Sequence, residues 1–110
     1  MGTVLFLGNS LAQLESLPRP VREAFEWAIT ELTRDPGEPP QSPEFGMETK
    51  ALGGPLPLFR ISVRLRSDDP GYRGIYHSDG ADVLFVRFAR RDSSTYKGLR
   101  KLSRLLDNQE

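Results

Sequence analysis

Residues 57–96 read PLFRISVRLRSDDPGYRGIYHSDGADVLFVRFARRDSSTY. Three short apolar runs are divided by two turns, and arginines recur inside the runs as well as between them. Over 58–66, Phe59, Ile61, Val63 and Leu65 alternate with Arg60, Ser62, Arg64 and Arg66. A period of two makes one face of a strand apolar and the other cationic. Asp68, Asp69, Pro70 and Gly71 predict a turn, since proline presets φ and glycine adopts φ > 0 freely. Residues 72–77 form a second strand. Ser78, Asp79 and Gly80 then close a tight hairpin, for which Asp-Gly is a strong local signal. Residues 83–88 are apolar on both faces, as a central strand is. The expectation is an antiparallel meander with one cationic surface.

The chain has 110 residues and 37% hydrophobic content, enough for one domain, 1–110, with one core. No run of 18 apolar residues is present, so no membrane span is expected. Residues 1–7 lack the basic start and cleavage site of a signal peptide. There is no cysteine, which excludes a disulfide scaffold and a thiolate metal site and fits a cytoplasmic protein. The single histidine, His77, rules out a site that needs two; no metal and no small-molecule cofactor is expected.

Net charge is zero, but the charges are divided along the chain. Residues 1–57 carry four Lys/Arg and eight Asp/Glu, a net of −4. Residues 58–104 carry eleven Lys/Arg and five Asp/Glu, a net of +6, and 105–110 add −2. Such a division points to a local cationic surface for an anionic partner, nucleic acid among them; the plainer reading is scattered surface charge.

The N-terminal half reads as a short strand at 3–7, then a short helix to about Leu17 capped by Asn9 or Ser10. Pro18 stops that helix, and Pro20 suits the first turn of the next. In 21–34, Val21, Ala24, Phe25, Ala28, Ile29 and Leu32 fall on one helical stripe. Trp27 lies off the stripe; it either closes the edge of the core or marks a partner surface. Residues 35–47 hold four prolines and two glycines and read as irregular. Asp92 or Ser93 caps a last helix over about 94–106, with Leu99, Leu102, Leu105 and Leu106 on its apolar stripe and Lys97 on its basic side. The fold class is α+β, in the order β-α-α-β-β-β-α, with two N-terminal helices on one face of the sheet and a C-terminal helix.

With these residues, that order resembles the RelE/ParE toxin superfamily of type II toxin–antitoxin systems, over nearly the whole chain. Leu14, Leu17, Pro18 and Val21 resemble the family's helix junction. Lys50-Ala51-Leu52-Gly53-Gly54 resembles its KxLxG lead-in. Phe59-Arg60-Ile61 followed by Tyr72-Arg73-Gly74-Ile75-Tyr76 resembles its YRI and YRVIY strands. Phe88-Ala89-Arg90-Arg91-Asp92 ending at Tyr96 resembles GHRxxxxY. HigB-like phage proteins share the last feature.

The resemblance implies a ribosome-dependent endoribonuclease that cuts mRNA by attack of a 2′-hydroxyl on the adjacent phosphate. Its partners would be the ribosome, mRNA and a cognate antitoxin, with no membrane. Such a reaction needs cations around the phosphorane and a group to protonate the leaving oxygen. Arginine suits the first task because its fork matches phosphate geometry. The candidate catalytic residues are Arg73, Arg60, Arg90, Arg91 and Tyr96, and the candidate RNA-binding residues are Arg64, Arg66, Lys50 and Lys97. Arg73 is either a phosphate clamp or a strand arginine paired with an acid. Tyr96 either stacks on a base or packs the last helix. His77 reads as a surface residue. Ser62 stands where the nuclease branch carries a second cation, often lysine, so Arg64, Lys50 or Glu48 is left to act as base. The competing reading is a non-enzymatic ParE-like toxin that inhibits DNA gyrase, or a relative that only binds a partner.

Overall fold

Helix α1 (Ser10–Glu15) and helix α2 (Arg19–Arg34) follow the short strand β1 (Val4–Phe6). The computed structural model describes residues 2–52, 58–65 and 71–90. Pro20 occupies the first turn of α2, where its missing N–H removes no helical bond. Asp35 ends the helix in an extended conformation, as a residue before proline must. The expected stripe is the buried face of α2: Val21, Ala24, Phe25, Ala28 and Leu32. Trp27 closes the core's edge, its ring 5.6 Å from that of Phe45.

A 3-10 turn (Pro43–Phe45) then leads to β2 (Met47–Leu52), β3 (Leu58–Val63), β4 (Tyr72–Ser78) and β5 (Val83–Arg90). The sheet order is β1-β5-β4-β3-β2; β1 runs parallel to β5 and every other pair is antiparallel. The expected meander is thus present with one strand more. Residues 47–52 were expected only to lead into it, because METKAL carries charge at alternate positions, as an exposed edge strand does. The C-terminal helix expected at 94–106 lies outside the described residues.

The core lies between the sheet and the helices. Ile61 and Val63 of β3, Tyr76 of β4, and Val83, Phe85 and Phe88 of β5 meet Leu14 of α1 and the buried stripe of α2. Leu84 falls on the other face of the sheet, while Val83, Phe85 and Phe88 all take this one. The reason is a bulge. Tyr76 pairs with Phe85 and Ile75 with Arg87, so Val86 is an extra residue on β5. Phe85 and Phe88, three residues apart, therefore both face the helices, their rings stacked at 4.9 Å. Gly74 makes room for them: a Cβ there would come within 3.0 Å of both the Phe25 and Phe88 rings.

β1 covers β5 only as far as Phe85, and α1 takes over from it. The Ser10 hydroxyl donates to the Phe85 carbonyl at 3.2 Å, and the Phe88 N–H donates to Gln13 Oε1 at 2.9 Å. The β4–β5 connection is a four-residue loop, 79–82, rather than the tight two-residue turn Asp-Gly predicts. The Asp79 carboxylate accepts from the N–H groups of Asp82 and Ala81, and these bonds hold its pKa below the usual range. Gly80 supplies φ 90.

Three measurements of unfolding test this packing. Phe25→Ala should cost about 3–5 kcal/mol, as truncation of a buried aromatic does. Gln13→Ala should cost about 1–3 kcal/mol by leaving the Phe88 N–H without its acceptor; a change near zero would show that the bond contributes nothing. Burial raises the Tyr76 phenol above its ordinary pKa. The stability this gives is complete below the unfolded value near 10 and is lost as pH rises toward the folded value. Tyr76→Phe should therefore melt relatively higher than wild type above pH 10 and not at pH 7.

Candidate functional site

The sheet face away from the helices is built in rows of paired residues. One row runs Glu48–Ser62–Arg73–Ala89. The next runs Lys50–Arg60–Ile75–Arg87, and a third runs Leu52–Leu58–His77–Leu84–Leu5. The outer face thus passes from charged at one end to apolar at the other. The alternation of β3 and β4 puts Arg60 and Arg73 on this side, and the bulge at Val86 keeps Arg87 there too.

A groove of about 830 Å³ opens at the charged end. Lys50, Arg60, Arg64 and Arg73 line it, with Glu48 the one carboxylate among its described lining residues. Ser62 lies between Glu48 and Arg73. Arg60 and Arg73 are half-buried, and the Nε atoms of both are sealed from solvent. Lys50, Glu48 and Arg64 are exposed at the rim.

The rim is fixed by backbone. The 3-10 turn ends at Gly46, whose φ of 56 is left-handed. The Gly46 carbonyl accepts the Arg64 N–H at 3.1 Å. A Cβ at Gly46 would lie 2.1 Å from the Arg64 carbonyl oxygen, so only glycine lets the turn approach β3 this closely.

Four of the sequence-derived candidates therefore share one groove: Arg73, Arg60, Arg64 and Lys50. Arg90 does not. It pairs with Tyr72 at the end of β5, on the side of the sheet opposite Arg73, and does not line the groove. Arg66, Arg91, Tyr96 and Lys97 lie outside the described residues. His77 sits in the apolar row, between Leu58 and Leu84. Arg87 was not singled out, yet it shares Arg60's row. Only the position of the bulge, which local composition does not reveal, brings it there. Among the described residues no group of His, Cys, Asp or Glu is placed to hold a metal ion, and no helix is long and apolar enough to cross a membrane.

Chemically, this arrangement suits one phosphodiester. Strands lie about 4.8 Å apart, so Glu48 and Arg73 stand about 10 Å apart across Ser62, a span that a phosphate and its ribose can fill. Lys50 and Arg60 are directly opposite each other, and like charges so placed repel. An anion between them offsets the repulsion.

No family profile matches the sequence, and no curated protein does. Solved structures do. The isolated E. coli RelE toxin is 19% identical, with a TM-score of 0.57 over 93% of this chain and 99% of that one. RelE in the archaeal RelE–RelB complex from Pyrococcus horikoshii OT3 is 20% identical, with a TM-score of 0.54 over 84% of this chain and 97% of that one. The Methanococcus jannaschii RelB–RelE complex gives 19% and 0.54, over 96% and 99%. The chain has the RelE fold. Its groove is thus a local construction on the RelE sheet, made from the residues that β2, β3 and β4 carry here.

The repulsion yields a prediction. Sulfate or pyrophosphate should raise the melting temperature of the wild type more than an equal ionic strength of chloride. Arg60→Gln and Arg73→Gln should each reduce that difference. An equal response to both salts would show that the groove holds no anion.

Proposed function

We propose that the protein is the toxin of a type II toxin–antitoxin system and an endoribonuclease that cuts mRNA on the ribosome. The observation that carries this reading is the convergence of Arg60 and Arg73 on one sheet face, in one groove with Lys50 and Arg64. The RelE fold supports it. In the reaction, the O2′ atom bonds to phosphorus as its proton leaves. The bond from phosphorus to O5′ then breaks, and O5′ takes up a proton. The products are a 2′,3′-cyclic phosphate and a 5′-hydroxyl.

Arg73 and Arg60 act on the phosphorane, which carries more negative charge than the ground state, so their attraction grows along the reaction. Their half-buried setting strengthens that attraction relative to open water. Lys50 and Arg64 hold the flanking phosphates. Glu48, two strands from Arg73, receives the 2′-proton. Arg91 and Tyr96 complete the catalytic set in this reading, and Arg66 and Lys97 extend the RNA contacts. The cognate antitoxin covers the cationic face with an acidic segment, and the protein works in the cytoplasm.

Ser62 favours a second reading. Where the nuclease branch carries a cation, a neutral residue stands in the middle of the groove. A ParE-like toxin that inhibits DNA gyrase needs no such cation.

The test is mRNA cleavage on translating ribosomes. Arg73→Ala should lower the rate by ~10²–10³ while the protein stays folded. Arg73→Lys should recover only part, since an ammonium cannot make the bidentate contact. Glu48→Gln should lower the rate and remove the acidic limb of the pH–rate profile. Full cleavage by Arg73→Ala would overturn the clamp assignment. No cleavage by wild type, with gyrase inhibited instead, would decide for the second reading.

A further inference from the structure

The groove has two chemically different ends. Lys50, Arg60 and Arg73 form one, on the outer face of the sheet. The other lies past the ends of β3 and β4, where Pro43 and Tyr72 join the wall. By alternation Tyr72 belongs to the helix side, opposite Val63, and it packs against the margin of the hydrophobic core. It is nevertheless only half-buried. Gly71, at φ 85, turns the chain into β4 immediately before it. Tyr72 and Arg73 are consecutive, so one strand end delivers a held aromatic ring and a guanidinium to the same groove from its two faces.

We infer that Tyr72 is the platform of a base-binding subsite: a single-stranded RNA whose phosphate lies between Arg60 and Arg73 stacks the base flanking that phosphate on the Tyr72 ring. The inference rests on the nuclease reading and deepens it. Guanidinium and ammonium groups hold any phosphodiester and carry no information about the base. A stacking surface turns a phosphate site into a nucleotide site, because every base offers a π-face. Single-stranded RNA is recognised in this way, by unstacked bases laid on aromatic rings. A tyrosine already packed on one side loses little freedom when it binds. Gln41, exposed on the same wall, has an amide that donates and accepts and so can meet a base edge.

The experiment is single-turnover cleavage on ribosomes programmed with an intact A-site codon, or with the same codon carrying one abasic nucleotide. It compares wild type, Tyr72→Phe and Tyr72→Leu. At one codon position, loss of the base should slow wild type and Tyr72→Phe by roughly tenfold. Tyr72→Leu should be about tenfold slower on the intact codon, with little further loss on the abasic one. Each variant is its own reference, so any partial unfolding of Tyr72→Leu cancels from the ratio. An abasic penalty that is as large in Tyr72→Leu as in wild type overturns the subsite and leaves the nuclease reading intact. So does loss of the penalty in Tyr72→Phe, which keeps the ring. A wild type that cleaves no codon overturns the nuclease reading itself, and the subsite with it.

Discussion

The extra residue in β5 is the constraint on which the rest of the sheet depends. A strand alternates its side chains strictly, so Phe85 and Phe88 would face opposite sides of a regular one. Val86 interrupts the alternation, and both rings enter the core, where Phe85 also lies 5.4 Å from Tyr76 and Phe88 5.2 Å from Phe25. Without the bulge, placing Phe85 in the core would put Arg87 there too, an unpaired charge facing α2. With it, Arg87 and Ala89 fall on the outer face beside Arg60 and Arg73. The same irregularity thus completes the core and keeps the cationic face on one side.

Among the described residues, that face sets like charges side by side. Lys50 and Arg60 stand directly opposite each other, and an aliphatic pair there would remove the repulsion. Three of the described acids stand elsewhere. Glu23, Glu26 and Glu31 form i,i+4 and i,i+3 ion pairs with Arg19, Arg22 and Arg34 along α2, on the far side of the sheet. Exposed pairs of that kind contribute little, but they occupy the carboxylates locally. Local disagreement between stability and sequence is most often found where a site is built.

Much of this was legible in the sequence. The apolar stripe of α2 and the alternation of β3 are strong periodic signals, and they set two layers and the cationic side of one strand. β2 was not legible, because an edge strand with charge on alternate residues looks like a loop when a proline-rich segment precedes it. The bulge was not legible either. The run VLFVRF fits a central strand without any insertion, and only its pairing with β4 shows which residue is extra. Arg60 and Arg73 fall on one face because the alternation of β3 and β4 was read in the right register. Arg90 pairs with Tyr72 and does not line the groove, because the register between β4 and β5 sets its face.

The zero net charge hides a separation that matters more than the total. The exposed acids of α2 and the arginines of the groove are divided by a helix and a sheet. A helix alone is about 10 Å across, and ionic screening at physiological salt acts over about 8 Å. Across that distance the paired charges of α2, neutral in sum, change little of the groove's field. Close to the groove, an anion meets four cations and one carboxylate among the described residues. At long range it meets a neutral body, so steering from a distance is weak and selection happens at contact. The protein's pull on a distant polyanion is weak. It gains its attraction only where a strand is already presented to the groove, as an extended single strand held by another body would be. In the nuclease reading proposed above, the balance of charge therefore favours a strand delivered in place over one captured from solution.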